Sequence, residues 1–305
     1  MSSSPPPVSL VLSRAALAGR GVSRAQLRAQ LAAGRWQRHG AAIVLQDGPL
    51  SREQRWQVGL VNVGPRAVLT AFTAAELLGL RGWEREEVHV LAPPGSSGRA
   101  VPGLRIRVYR SGGWPPAADP PAVATATAGL RCHAAGAAIV LAASTFANAL
   151  TGCGILAAAV QQRVATVEAI EGSLLASVRL RHRAMLLAAV RDMAGGAQAL
   201  TGIDLPRLCR RYGLPPPSRQ LQRSEPSGRR RFLHAGWPRA DGRLVVAEVD
   251  GALHLSRRQW WVEPDRSPEL LAGPATVLRF ASAVVRAEPR LVAAQLRRAL
   301  ELAEP

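Results

Sequence analysis

Lysine is absent from all 305 residues, so every fixed cation is an arginine. Coding bias toward arginine accounts for the missing lysines. It does not account for the surplus of 39 basic over 21 acidic residues, a formal net charge of +18. Aromatic residues make up only 4% of the chain, so its cores must be built from small aliphatic side chains. Three cysteines, Cys132, Cys153 and Cys209, are too few and too scattered for a disulfide framework or a zinc cluster, and point to a reducing, cytoplasmic setting. No run of about 20 strongly apolar residues is present. The most apolar stretch, Ala134 to Leu150, is alanine-rich and interrupted by Ser144, Thr145 and Asn148; it reads as a buried helix, and no membrane contact is expected. The opening MSSSPPPV lacks a basic segment followed by an apolar one, so no secretory leader is expected.

What is present is a globular composition, 48% hydrophobic, with enough length for two or three cores. A basic surplus of this size usually means attraction to a polyanion, and nucleic acid is the default; spread evenly, it confers solubility alone. Five segments are expected: a disordered tail over residues 1–8, a winged helix-turn-helix over 9–48, a small α/β module over 49–122, a helical region over 123–195 and a last domain over 196–305. The expected fold class is α+β.

In the first folded segment, SLVLSRAALAG reads as a short helix and SRAQLRAQLAAG as a second, opened by a Ser23–Gln26 capping box and closed by Gly34. RWQRHGAAIVLQDG then reads as two short strands around His39 and Gly40. In such an arrangement Arg24, Gln26, Arg28 and Gln30 face a DNA groove while Arg35 and Arg38 reach phosphates. The chemistry is that arginine and glutamine fork onto base edges, and arginine also neutralises phosphate. The competing reading is a small helical pair with solvated arginines. Further capping boxes are read at Ser51–Gln54 and Thr73–Glu76, paired strands in VHVLAP and LRIRVY, and a proline-rich connector in SGGWPPAADPPAV. In the helical region, VQQRVATVEAIEGSL and LRHRAMLLAAVRDMAGG stand out.

The last segment has the order helix, three strands, helix, strand, helix. The pieces are Ile203–Arg211, SRQLQRS, RRRFLHAGW, RLVVAEVDG, Arg257–Leu271, ATVLRF and a helix opened by Pro289. In VVAEVDGALH, Glu248 and Asp250 are two residues apart and therefore share one strand face, where like charges repel unless water or a cation relieves them. On pattern alone Val245, Ala247 and Val249 face a core while the two acids face water. His254 reads either as an acid near the same pocket or as a turn residue. Trp260 and Trp261 read as base-stacking or as packing, and Arg229, Arg230 and Arg231 as a phosphate track or a solvated edge.

RLCRRYGLPPPSRQ, VVAEVDGALH, the tryptophan pair and Arg266 of RRQWWVEPDRSPELL, and TVLRF followed by VVR together resemble the very-short-patch-repair-like branch of the PD-(D/E)XK endonuclease superfamily, in a form frequent in actinobacterial proteins. GRWQRHGAAIVLQ and LTAFTAAELLGL are similar to the winged-helix domain of AbiEi-type abortive-infection antitoxins. The first resemblance implies a restriction-endonuclease-like α-β-β-β-α-β core in which acids hold a divalent ion, magnesium or manganese, for phosphodiester hydrolysis. Glu248 and Asp250 match its Glu-x-Asp element as catalytic and metal-binding residues. His234 stands where the family has an aspartate, Gly202 where it has a glutamate, with Asp204 nearby, and Glu263 and Pro268 replace two further positions. His234, Glu248 and Asp250 are the candidate metal set. The resemblances thus imply a DNA-binding regulator, antitoxin-like, with a degenerate nuclease site and a toxin partner. Two alternatives stay open: an active divalent-metal endonuclease, and a protein-interaction module.

Overall fold

The computed structural model describes residues 10–96, 98–110, 130–177, 179–195, 205–217, 219–224, 230–239, 241–250 and 275–302. The expected tail and proline-rich connector, Gly202, Asp204, Arg229, and the segment 251–274 with its expected helix, His254, Trp260, Trp261, Glu263, Arg266 and Pro268, lie outside the described residues. The fold is α+β, and the chain divides into two units, Met1–Ala142 and Ala143–Pro305.

The first unit begins with β1 (Val11–Ser13), α1 (Arg14–Gly19), α2 (Arg24–Ala32), β2 (Gln37–His39) and β3 (Ala42–Val44). The stretch read as one helix from Ser9 therefore starts as a strand, because Val11 and Leu12 point into different cores. Val11, Ala42 and Val44 join one apolar cluster; Leu12 and Ile43 join another with Leu17 and Leu27. A strand's alternation can serve two cores at once, whereas a helix at the same residues cannot. Ser13 then caps α1, its hydroxyl accepting from the Ala16 amide at 3.1 Å. β3 is the middle strand, antiparallel to both β1 and β2.

The same unit continues with α3 (Arg52–Val63), β4 (Val68–Leu69), α4 (Ala71–Leu77), β5 (Val88–Ala92) and β6 (Ile106–Arg110). The expected Ser51–Gln54 box opens α3, each side chain bonded to the other's backbone amide. The expected Thr73–Glu76 box does not form. Helix α4 starts earlier, at Ala71, and both box residues are committed elsewhere: the Thr73 hydroxyl accepts from the His89 amide at 2.9 Å, and Glu76 takes a two-pronged bond from Arg52 at 2.9 and 2.7 Å. VHVLA and IRVYR pair as expected, in parallel. Cys132 bridges the β4 edge, so residues 130–133 tie back to this sheet.

The helix α5 (Ala135–Ser144) leads into α6 (Ala149–Gln161), α7 (Val167–Ala176) and α8 (Arg183–Gly195). The apolar stretch read as one helix breaks after Ser144, where the Asn148 side chain caps α6 by accepting from the Leu150 amide at 2.8 Å. VQQRVATVEAIEGSL breaks too: α6 ends at Gln161, and Thr166 caps α7. Among the described residues no helix is long and apolar enough to cross a membrane.

In the second unit α8 packs on α6 and α7. It is followed by α9 (Leu205–Arg211), β7 (Arg219–Ser224), β8 (Arg230–Pro238), β9 (Leu244–Asp250), β10 (Ala275–Ala281), α10 (Ser282–Ala287) and α11 (Pro289–Ala299). The sheet order is β10-β9-β8-β7: an antiparallel meander with β10 parallel to β9. The short α10 was not foreseen. It packs on α8 through Asp192, buried on α8, which accepts from the Ser282 hydroxyl and pairs with Arg286.

Candidate functional site

Two places collect the residues singled out from sequence. In the first unit the order strand, helix, helix, hairpin gives a three-stranded sheet carrying two helices on one face. The Ser23–Gln26 box starts α2: the Ser23 amide donates to the Gln26 side chain at 2.8 Å, and the Gln26 amide to the Ser23 hydroxyl at 3.1 Å. The helix ends in a Schellman turn, with the Gly34 amide on the Leu31 carbonyl and the Arg35 amide on the Gln30 carbonyl, both at 3.1 Å, and Gly34 at φ +69°. Leu27 and Leu31 point inward with Leu17, Val22 and Trp36.

With about 100° per residue, the outward face of α2 is centred on Ala25 and Ala29, with Ala32 beside them. Arg24 and Arg28 flank it on one side, and Gln26 and Gln30 on the other. All three alanines, both arginines and Gln26 are exposed. The four expected contact residues therefore do not form one cluster; they straddle an exposed strip of small side chains. Two of them are also partly occupied. The Gln26 carbonyl oxygen serves the cap, and the Gln30 carbonyl oxygen accepts from Arg35 Nε at 2.7 Å. Arg38, exposed on β2, donates through Nε to the Gly40 carbonyl at 3.2 Å.

A residue not foreseen holds the hairpin in place. Asn62, buried near the end of α3, accepts from the Ala41 amide at 2.8 Å and donates to the His39 and Val58 carbonyls at 2.9 and 2.8 Å. Gly40, at φ +63°, allows this: a Cβ there would overlap the Asn62 side-chain oxygen. One amide thus holds the end of β2, the hairpin turn and its own helix. Its sequence spacing carries no signal for this role, because the contact spans more than twenty residues.

The second place is the face of the C-terminal sheet. Register pairs His234 on β8 with Glu248 on β9, and Glu248 with Arg279 on β10; Asp250 pairs with Ala281. Directly opposed residues share a face, as do residues two apart on one strand. His234, Glu248 and Asp250 thus occupy neighbouring positions of one sheet face, as expected. The expectation that this face simply looks onto water needs correction. Val246, two residues before Glu248, is 3% exposed, and Glu248 itself is only half-buried to solvent; Val245, Ala247 and Val249 fill the opposite face. Strand β9 lies between β8 and β10, which pair both its edges, and the burial of Val246 beside Val245 and Ala247 shows that both faces are covered at that end of the strand.

As a donor set these positions fit magnesium poorly. Magnesium favours oxygen ligands, and here the neighbouring strands contribute an imidazole at 234 and an arginine and an alanine at 279 and 281. One imidazole with two carboxylates suits manganese or zinc better. Among the described side chains no group of three histidines, cysteines or acids gathers in a metal-holding arrangement.

The cysteines take no part in either place. All three are buried, and burial pushes the Cys132 thiol up to about 11 and the Cys153 thiol up to about 12. Set against known proteins, no family model matches the chain, and no curated protein matches it.

Proposed function

We propose that the chain is a DNA-binding regulator of the antitoxin-like kind, built on an N-terminal winged helix-turn-helix and a C-terminal endonuclease-like core that has lost its magnesium chemistry. One observation carries the reading. Helix α2 presents an exposed alanine strip flanked by Arg24 and Arg28, beside a hairpin bearing Arg38, in a chain of net charge +18. A helix of this kind enters a major groove, its arginines contact base edges or phosphates, and the hairpin reaches the backbone. Gln26 and Gln30 retain their amide NH2 donors for base acceptors, while Arg35 positions Gln30. The endonuclease-like core adds contact to DNA through its arginines, and a toxin protein is the second partner on this reading. The test is a gel shift with mixed-sequence duplex over a salt series. Retardation that weakens steeply with salt and is reduced by Arg24→Ala/Arg28→Ala supports the reading; no retardation at low salt ends it.

A second reading, a metal-dependent endonuclease, is favoured by the register that places His234, Glu248 and Asp250 on one face. Here the bound ion would supply Lewis acidity at phosphate, and the half-buried Glu248 with Asp250 would hold it. Plasmid nicking in manganese and in magnesium decides between the two. Nicking in manganese that disappears in Glu248→Ala/Asp250→Ala selects the endonuclease; an intact plasmid in both metals leaves the regulator. A protein-interaction module remains the outcome if neither retardation nor nicking is seen.

A further inference from the structure

A cavity of about 420 Å³ opens in the first unit between the start of α1, the turn of the β2–β3 hairpin and the end of α3. Three arginines border it: Arg14 from α1, Arg38 from β2 and Arg99 from the segment before β6. All three are exposed, and no acidic residue lines the cavity. Among the described residues none of the three makes an ion pair. Arg38 uses Nε on the Gly40 carbonyl, which orients its guanidinium and leaves its terminal nitrogens for another acceptor. The floor is rigid: Asn62 pins Ala41 and His39, and the Arg99 amide donates to the Asn62 carbonyl at 3.2 Å.

Three like charges brought around one hollow repel each other, and among the described residues no acidic group lines the hollow to offset them. An oxyanion does. The geometry points to a phosphate-anchoring site in which Arg14, Arg38 and Arg99 together grip a backbone phosphate of duplex DNA beside the hairpin. The inference rests on the DNA-binding reading and deepens it, because it adds Arg14 and Arg99, from outside the two-helix motif, to the contact surface. The ligand chemistry is a phosphate oxyanion, which a free phosphorylated small molecule also offers. The exposure of all three arginines favours the backbone, since small-molecule sites enclose most of their ligand's surface. Guanidinium groups also match phosphate oxygens in paired hydrogen bonds, which a single ammonium does not.

The experiment uses the full chain, a mixed-sequence duplex and fluorescence anisotropy across a salt series. Each phosphate contact removed should lower the slope of log K against log salt by ~0.9. Arg14→Gln/Arg99→Gln, which breaks the grip on that one phosphate, should therefore flatten the slope by up to ~0.9 and weaken binding about five-fold near physiological salt, equally for unrelated sequences. Arg163→Gln, in the turn between α6 and α7, serves as the charge control and should leave the slope unchanged. Thermal melting of each variant shows that it is folded, and Arg14→Lys/Arg99→Lys should restore most of the slope. If wild type binds duplex and the double glutamine variant keeps its slope, the site is refuted while the DNA reading stands. If wild type binds no duplex, both fall. A third arm adds inorganic phosphate or a mononucleotide alone: arginine-dependent stabilisation by these, with duplex binding unaltered in the variant, would reassign the cavity to a small molecule and overturn the backbone assignment.

Discussion

Several single side chains here have roles that their type alone does not announce. His89 on β5 is 2% exposed, with Nδ1 3.0 Å from the Tyr109 hydroxyl and Nε2 3.9 Å from Glu87. Burial, reinforced by Arg107 and Arg85 and opposed by Glu87, pushes its imidazole down to about 4. The unfolded chain takes up this proton first, near pH 6.5, so the stability that neutral His89 confers is complete above that pH and lost as pH falls through 4. The loss should reach about 3 kcal/mol from this group. Half-buried His133 shifts in the same direction and adds to it. Urea denaturation at pH 7 and pH 4.5 should show the fall, and His89→Gln should flatten it; an unchanged slope with pH in His89→Gln assigns the effect to other groups. The histidine was visible in VHVLAP, but its burial depends on Phe72 and Tyr109 from other elements, which no local pattern records.

Among the elements, the hairpin shows how a local motif depends on a distant helix. Two turns of sequence, RHGAAI, suffice to foresee β2 and β3, because the glycine at φ +63° and the flanking strand formers are local features. Their placement depends on Asn62 instead. Asn62→Ala removes three hydrogen bonds and leaves the Ala41 amide and two carbonyls to find water, an expected cost of about 3 kcal/mol. Gly40→Ala adds a Cβ in a left-handed turn against the same amide and should cost about 1–2 kcal/mol through strain alone. Melting temperatures measure both, and amide exchange at Ala41 separates a loosened hairpin from general destabilisation. Exchange at Ala41 as slow as in wild type would show that Asn62 does not clamp it. The capping boxes divide along the same line. Ser23–Gln26 and Ser51–Gln54 both form, the second even though the Gln54 side-chain oxygen also accepts from Gln46 at 3.1 Å, whereas Thr73 and Glu76 are claimed by β5 and by Arg52.

For the chain as a whole, charge has two opposed consequences. A net +18 without lysine is repelled from itself, so added salt should raise the melting temperature of the free protein between low and moderate ionic strength. On the proposed DNA-binding reading, the same salt should weaken the complex through counterion uptake at the phosphates. Parallel melting and binding series over one salt range check both signs. A melting temperature that falls with salt would mean that specific ion pairs, such as Arg52–Glu76, outweigh the general repulsion.

Most of the strands and helices were legible from composition and period. Alternation marks β5, β9 and β10, Pro289 opens α11, and Val292 and Leu296 bury its apolar stripe. Those features are local, and local backbone preference suffices to select them. The positions of Glu248 and Asp250 on one face were also legible, since a strand's period of two requires it. That His234 shares this face came only from the family resemblance, and its direct pairing with Glu248 was not legible in the residues themselves, because register arises from pairing between strands that the sequence separates by a turn. Nor was the partial burial of Glu248, or the gathering of Arg14, Arg38 and Arg99 around one cavity. Contacts between distant segments are a property of packing: they follow from which apolar faces close on each other, and that choice is made by the folded chain rather than by any stretch of it.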